Sequence, residues 1–218
     1  MNKFTQIAID GPAAAGKSTI AKAVAKKLGY TYIDTGAMYR AITWACLEGD
    51  VDLENENEIT SLLVTTDIKL TPEAKVFVNE TDVTNDIREQ RVTNNVSKVA
   101  SYARIRDELK NRQIVLASFD NVIMDGRDIG TNVLPNADFK FFMTADPHVR
   151  AIRRYNENLE RGIKSDLTVL EEEIKKRDEM DENRPHSPLK QAKDAIFIDT
   201  SAFSVTEVVD KMVGFVLK

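Results

Sequence analysis

The sequence predicts a doubly wound α/β fold, in which about five parallel strands form one sheet between helices. Short apolar runs recur along the 218 residues, and segments with helical periodicity separate them, as in a chain of βα units. The first run leads through a glycine-containing loop directly into a helical segment. The length suits a single α/β domain that carries insertions.

The first predicted unit consists of a strand over residues 4–10 and a helix over residues 17–28. Ile20, Val24 and Leu28 recur at every fourth position and indicate the buried face of this helix. Gly29 follows at the position where many helices end in a left-handed residue.

The loop between this strand and this helix, residues 11–18, reads Gly-Pro-Ala-Ala-Ala-Gly-Lys-Ser. This spacing is typical of a phosphate-binding loop, whose backbone N–H groups surround phosphate oxygens at a positive helix N-terminus. Lys17 can reach β- and γ-phosphates, and the Ser18 hydroxyl can ligate a Mg²⁺ that bridges them. The motif therefore predicts binding of a nucleoside triphosphate.

The second predicted strand, residues 30–33, ends at Asp34-Thr35-Gly36. Its carboxyl end lies at the edge where open α/β sheets bind ligands. A helix is predicted from about residue 37 to 48, with Arg40 near its start. Arg40 is either a surface side chain or a clamp for the phosphate or base edge of a second substrate, and its place after the sheet edge favours the clamp.

An insertion is predicted over about residues 50–102. It begins with an acidic linker at residues 50–58, and apolar and polar residues then alternate over residues 67–84, which indicates a small antiparallel sheet. Helical patterns follow over residues 86–101 and 103–117. Because the insertion lies between two segments with chemical motifs, we expect it to form a substrate-side subdomain.

Two further strands are predicted at residues 122–124 and 139–143. The first ends in Asp125-Gly126-Arg127-Asp128. Asp125 stands where phosphate-loop enzymes place the acid that holds Mg²⁺ through water.

Two charged helices are predicted next, over residues 147–162 and 167–181, joined by a glycine-containing turn. Arg150, Arg153 and Arg154 share one face of the first helix. With few apolar anchors, the segment from about residue 147 to 184 is either a mobile lid or a solvated helical hairpin, and the phosphate loop favours the lid.

The chain closes with a predicted strand at residues 195–198 and a helix. The apolar face of that helix comprises Val205, Val208, Val209, Met212, Val213 and Val216. We therefore predict one domain over residues 1–218, with a core of about residues 1–49, 103–146 and 194–218.

Composition limits the classes of function. A net charge of −5 and a pI near 5.3 argue against stable nucleic-acid binding, so anionic substrates require local arginine clusters. Cys46 is the single cysteine and fits a reducing cytoplasm, and His148 and His186 are too far apart to suggest zinc. Without a membrane-length apolar run or a signal peptide, we expect a cytoplasmic protein, with a monomer as the default.

The class of phosphate-loop protein follows from the remaining motifs. A GTPase needs an Asn-Lys-x-Asp signature, whereas the chain's one Asn-Lys pair, Asn2-Lys3, precedes Phe4-Thr5. Arginines recur in separate segments beyond the loop, and a small kinase needs them to neutralise the phosphates of donor and acceptor together. A mechanical ATPase has no such need.

Four segments closely resemble the bacterial cytidylate kinase family, and the resemblance spans essentially the whole chain. They are Ile9-Asp10-Gly11-Pro12 with the loop, Asp34-Thr35-Gly36-Ala37-Met38-Tyr39-Arg40, Asp125-Gly126-Arg127-Asp128-Ile129-Gly130-Thr131, and Arg177-Asp178 to Arg184. The resemblance implies a P-loop kinase fold and Mg²⁺-dependent phosphoryl transfer from ATP to CMP and dCMP in pyrimidine metabolism.

The resemblance also implies the site residues. ATP would be bound by Gly11, Pro12, Ala13, Ala14, Ala15, Gly16, Lys17, Ser18 and Thr19. CMP would be bound by Thr35, Arg40, Arg106, Arg127, Asp128, Arg177, Asp181 and Arg184. Catalysis would depend on Lys17, Asp125, Arg127, Arg153 and Arg154, with Ser18 and, through water, Asp125 at the metal.

Two alternatives stay open at this point. A kinase for UMP or another small acceptor would share the loop, although Thr35 and Asp128 argue against it. A nucleotide-responsive binding protein without turnover would be expected to have lost Lys17 or the lid arginines, and the chain retains both.

Overall fold

A sheet of five parallel strands crosses the protein, and a computed structural model describes residues 4–217. The strands are β1 (Gln6–Asp10), β2 (Thr31–Asp34), β6 (Val122–Gly126), β7 (Phe139–Thr144) and β8 (Ile196–Asp199). Their order is β2-β6-β1-β7-β8, and every neighbouring pair is parallel. The predicted fold class is confirmed, and each predicted strand lies within two residues of its observed bounds.

Helices cover both faces of this sheet. They are α1 (Lys17–Leu28), α2 (Thr35–Glu48), α3 (Glu56–Thr65), α4 (Gln90–Val99), α5 (Ala103–Leu116), α6 (Pro147–Glu160), α7 (Leu167–Asn183) and α8 (Val205–Val216). Successive strand residues point to opposite faces, so Ile7 and Ile9 pack in one apolar cluster with α1 and α8, whereas Ala8 packs in another. The sheet is therefore buried on both faces, as a doubly wound fold requires.

The strand register brings acidic residues to one edge. Asp34 of β2 pairs with Asp125 of β6, and Asp10 of β1 pairs with Gly126. Because all these strands run in one direction, their carboxyl ends meet, and the loops that follow them share one surface.

The insertion contains the predicted small sheet. Strands β3 (Ile68–Leu70), β4 (Val76–Val78) and β5 (Thr81–Asp82) are antiparallel in that order. Asn79 and Glu80 both have positive φ and form the two-residue turn between β4 and β5, as tight hairpins require. Val76 and Val78 are buried in the cluster that contains Met38 and Ile42 of α2.

Two helical predictions need correction. The predicted helix over residues 86–101 is shorter: a 3₁₀ turn (Asp86–Arg88) comes first, Glu89 is extended, and α4 then covers Gln90–Val99. Helix α7 runs two residues past its predicted end and stops at Asn183, because Arg184 precedes a proline and is disfavoured in helical conformation. On α8, Val205 is 49 % exposed, since it stands in the first turn, beyond the sheet's apolar cluster.

The two charged helices α6 and α7 pack against each other, and Gly162, with φ 71°, follows α6. The carboxylate of Asp178 in α7 pairs with the buried Arg150 of α6 at 2.6 Å. That residues 147–184 move as a lid stays a prediction. No helix within residues 4–217 combines the length and apolar character needed to cross a membrane.

Gly11 offers a test of how tightly the loop is fitted to the sheet. Its φ is +150°, and a Cβ there would lie 1.9 Å from the carbonyl oxygen of Met143 in β7. We expect Gly11→Ala to lower the free energy of unfolding by about 2–4 kcal/mol, because backbone must move to relieve the clash. Urea unfolding of the variant and the wild type would measure this difference in the free energy of unfolding.

The matched control is Gly214→Ala in α8, where an added Cβ meets nothing within 4 Å. Alanine there should raise stability by about 0.5–1 kcal/mol, since glycine is the poorer helix former. Equal stability of the Gly11→Ala variant and the wild type would contradict the described packing of the loop.

Candidate active site

The phosphate loop lies at the carboxyl edge of the sheet. Ala14 and Gly16 have φ values of 57° and 89°, and this left-handed backbone curls the chain before α1 begins at Lys17. A cavity of about 700 Å³ opens beside it, lined by the loop, the start of α2, the insertion, α6 and α7. The nine residues 11–19 thus lie together where a triphosphate could bind.

Lys17 is 6 % exposed, and its Nζ donates a hydrogen bond of 2.7 Å to the carbonyl oxygen of Pro12. Burial and the charge of Arg127 lower the pKa of Lys17 to about 7, whereas Asp125 and Asp10 act in the opposite sense. An anion in the loop would favour the charged ammonium.

Ser18 and Asp125, separated in the chain, meet at this edge. Ser18 Oγ donates to Asp125 Oδ2 at 2.7 Å, and the Tyr32 hydroxyl donates to Oδ1 at 2.9 Å. Burial raises the pKa of Asp125, and the nearby Asp34 raises it further. Because the Ser18 proton points to the carboxylate, the oxygen lone pairs remain for a cation.

This donor set fits a magnesium ion that arrives with a nucleotide. Within residues 4–217, no three His, Cys, Asp or Glu side chains cluster as a complete metal site. Ser18 would supply one oxygen ligand and Asp125 would act through water, so phosphate oxygens and further waters would complete the coordination.

Asp10, which sequence reasoning left without a role, joins the loop to the Asp-Gly-Arg-Asp segment. Its carboxylate accepts hydrogen bonds of 2.7 Å from the backbone N–H groups of both Ile129 and Gly130. Burial raises the pKa of Asp10 to about 7, although these two bonds favour the ionised form. A buried acidic residue at a strand end is the sequence signal that could have found it.

Asp34 organises the start of α2. Its side chain accepts from the N–H of Ala37 at 2.8 Å and caps the helix, and it lies 3.0 Å from Arg40 Nη2. Arg88 of the insertion lies 3.5 Å from the same carboxylate. Burial opposes ionisation of Asp34, but Arg40 and Arg88 hold its pKa below the usual value.

Arg88 also lines the cavity, and the sequence analysis did not single it out. The sequence pattern predicts a continuous helix over this segment and does not predict the turn that directs Arg88 toward Asp34.

Thr35 is buried, and its hydroxyl donates to the carbonyl oxygen of Asp125 at 2.7 Å.

The predicted acceptor residues form a network of buried ion pairs. Arg106 Nη2 lies 2.7 Å from Asp128, and Arg127 Nε lies 2.8 Å from Asp181. Arg184 lies 3.6 Å from Asp128 and 3.8 Å from Asp181, although it stands outside α7. Burial would raise the pKa of Asp181, but Arg127 and Arg177 hold it below its usual value.

Several buried guanidinium nitrogens in this network have no hydrogen-bond partner within residues 4–217: Arg40 Nε, Arg106 Nε, Arg177 Nε and Arg184 Nη2. Burial, followed by the charge of Arg127, lowers the pKa of Arg177 to about 10. Unsatisfied buried donors are rare, and those at the wall of a cavity indicate a ligand rich in acceptor oxygens.

The two predicted lid arginines occupy different places. Arg153 donates to the carbonyl oxygen of Thr200 at 2.7 Å, beside the end of β8. Arg154 lies 3.8 Å from Glu157, and burial and the charges of Arg40 and Arg127 lower its pKa. Arg154 is therefore near Arg40 and Arg127, whereas Arg153 is held against Ala15 and Thr200.

Arg150 joins the site although it was not among the predicted site residues. Besides its pair with Asp178, its Nη1 donates to the carbonyl oxygen of Ala13 at 3.2 Å. Helix α6 is thereby bonded to the phosphate loop.

A phosphate loop at the carboxyl edge of a parallel sheet, facing buried arginines, defines the class of small phosphate-loop kinases. Solved structures agree on the fold. A gluconokinase from Sinorhizobium meliloti has a TM-score of 0.50 at 14 % identity and covers 98 % of this chain and 92 % of its own. Shikimate kinase from Acinetobacter baumannii has a TM-score of 0.50 at 14 % identity, with 99 % and 94 % covered.

Sequence comparison is more specific. The family model described as "Cytidylate kinase" matches residues 7–218. Cytidylate kinase from Leuconostoc mesenteroides is 53 % identical over 97 % of this chain and 96 % of its own length. Cytidylate kinase from Halalkalibacterium halodurans is 50 % identical, with 98 % of each chain covered. The chain belongs to the cytidylate kinase family, which confirms the resemblance drawn from its motifs.

The Ser18–Asp125 pair predicts a magnesium-specific effect. In Asp125→Asn, we expect the dissociation constant of ATP measured with Mg²⁺ to rise about 10–100-fold, because the group that orients Ser18 is weakened. The constant measured in EDTA should change little. Calorimetric titration with ATP, once with Mg²⁺ and once with EDTA, measures both dissociation constants.

Asp120→Asn is the matched control, because Asp120 is an exposed carboxylate that accepts a hydrogen bond from Thr31, at the start of β2. It should leave both constants unchanged. An equal loss of ATP affinity with and without Mg²⁺ in Asp125→Asn would argue against a role of Asp125 at the metal.

Proposed function

We propose that this chain transfers the γ-phosphoryl group of ATP to CMP and to dCMP, forming ADP with CDP or dCDP. One observation carries the proposal: within residues 4–217, the buried Nε atoms of Arg40 and Arg177 have no hydrogen-bond partner, and both residues line the cavity beside the phosphate loop. One anion would fill the phosphate loop and a second would satisfy these arginines, and family membership indicates that the two are ATP and CMP.

On the donor side, the loop residues 11–19 would surround the ATP phosphates with backbone N–H groups. Lys17 would leave the Pro12 carbonyl and bind β- and γ-phosphate oxygens. Ser18 and, through water, Asp125 would hold Mg²⁺, which would supply positive charge to the donor phosphates.

On the acceptor side, Arg40 and Arg127 would bind the monophosphate, since both line the cavity next to the loop. Asp128 and Arg177 would contact the base, and Asp181 and Arg184 the ribose. Arg106 would hold Asp128, as its 2.7 Å pair indicates, and Thr35 would contact the nucleotide at the strand end.

Transfer itself would depend on position and charge. A monophosphate oxygen is already a nucleophile, so no side chain needs to remove a proton. Lys17, Arg127 and Arg154 would neutralise charge on the moving phosphoryl group. Arg153, bonded to Thr200, would act on the ATP side of the lid, and closure of residues 147–184 would exclude water.

This assignment implies that different segments of the single domain would bind the two nucleotides. The core of about residues 1–49, 103–146 and 194–218 would hold ATP, and the insertion of about residues 50–102 would close over CMP. Arg88 extends from that insertion toward Asp34 and would move with the insertion toward the phosphate of the bound acceptor.

The deciding experiment measures ADP formation by the purified protein with ATP, Mg²⁺ and CMP, dCMP, UMP, AMP or GMP in turn. We expect fast turnover with CMP and dCMP and little with the others. Turnover with UMP alone would instead support the alternative acceptor. ATP binding without turnover on any acceptor would support a nucleotide-responsive binding protein.

Arg127→Ala tests the acceptor side. It should raise the KM for CMP and lower kcat, with a combined loss of at least about 100-fold in kcat/KM, because the guanidinium would bind the acceptor and the moving phosphoryl group. Steady-state kinetics with each substrate varied would measure this. An effect confined to the KM for ATP would place Arg127 on the donor side.

A further inference from the structure

Asn132 follows the Asp-Gly-Arg-Asp motif, in the short π-helical turn Ile129–Val133. Its Nδ2 donates to Asp128 Oδ2 at 3.0 Å and to Ser187 Oγ at 2.9 Å. Its Oδ1 accepts from Lys110 Nζ at 2.7 Å. The ammonium requires the amide oxygen and the carboxylate requires the amide nitrogen, so the orientation of the side chain is determined chemically.

The hydrogen bond from Asn132 fixes the second oxygen of the Asp128 carboxylate, while Arg106 binds the first. Arg106 Nη2 binds Oδ1 at 2.7 Å, and Asn132 binds Oδ2. The backbone N–H of Asn132 also donates to the Asp128 carbonyl oxygen at 2.9 Å. Rotation of the carboxylate would therefore break bonds on both oxygens.

Three separate parts of the chain meet at this amide. Lys110 lies on α5, Asn132 follows β6, and Ser187 follows α7. The carbonyl oxygen of Ser187 accepts from Arg184 Nε at 2.7 Å, so the segment held by Asn132 also holds Arg184. Asp128 and Arg184 are thus positioned by one common residue.

Without Asn132, arginines would compete for the carboxylate. Arg184 Nη2 already lies 3.6 Å from Asp128 Oδ1 and is a buried donor without a hydrogen-bond partner in the described part of the chain. A carboxylate free to rotate would present both oxygens to Arg106 and Arg184, since bidentate pairs are the stronger ones. The lone pairs of the Asp128 carboxylate would then point to the arginines and would not be available to a ligand.

We propose that Asn132 is a positioning residue for acceptor recognition, which orients Asp128 so that the carboxylate accepts from the exocyclic amino group of cytosine. The inference rests on the proposed function, because that function places Asp128 at the base. It adds a residue outside the predicted acceptor set that determines discrimination between amino and carbonyl groups on a pyrimidine.

The test compares CMP and UMP as acceptors for Asn132→Leu. We expect kcat/KM for CMP to fall about 10-fold or more and the CMP-to-UMP ratio to fall about 10-fold, because one well-placed hydrogen bond to the base is lost. The KM for ATP should stay within about twofold of the wild type, because the donor loop is untouched.

Asn132→Asp provides a second variant of nearly the same shape, and urea unfolding establishes that each variant folds. It places a carboxylate 3.0 Å from that of Asp128 and should also reduce the CMP-to-UMP ratio. Asn136→Leu is the matched control: it makes the same replacement at an exposed asparagine in the loop before β7 and should leave the ratio unchanged.

Parallel losses for CMP and ATP, or an unchanged CMP-to-UMP ratio in both Asn132 variants, would overturn the inference. Failure of the proposed function is a separate result, because it would be seen in the wild type as absence of CMP turnover. A wild type that prefers CMP, with variants that keep this preference, would refute only the role of Asn132.

Discussion

The buried carboxylate of Asp10 is the interaction on which the site depends. It ends β1, immediately before the phosphate loop, and it accepts the N–H groups of Ile129 and Gly130, immediately after Asp128. Burial disfavours this charge, and the two N–H bonds stabilise it. The phosphate loop and the segment that follows Asp128 are therefore joined by one buried contact, which sets their separation to within hydrogen-bonding tolerance.

Although the protein has a net charge of −5, positively charged arginines cluster around this contact. Arginines 106, 127 and 184 are held by Asp128 and Asp181, and Arg106 also lies 5.4 Å from the ring centroid of Tyr39. These pairs order the guanidinium groups, while Arg106 Nε and Arg184 Nη2 have no hydrogen-bond partner among the described residues 4–217. Such preorganisation lowers the reorganisation needed when charge moves between phosphates.

Local patterns accounted for the sheet, the phosphate loop and the meeting of Ser18 with Asp125. Apolar runs and a loop motif are short-range signals, and parallel strand topology then determines which ends meet. The roles of Asp10, Arg88 and Arg150 depend on partners far away in the sequence, which periodicity does not encode. The start of the helix over residues 86–101 was predicted too early, because Glu89 adopts an extended conformation between the 3₁₀ turn and α4.

The bond from Arg150 to the Ala13 carbonyl has a thermodynamic consequence. Ala13 belongs to the loop and Arg150 to α6, whose next turn carries Arg153 and Arg154. Any shift of loop backbone that a nucleotide induces changes the free energy of α6 in its present position. By reciprocity, whatever repositions α6 must alter nucleotide affinity by the same factor. A substitution at Arg150 would therefore weaken the coupling between nucleotide binding and the position of α6.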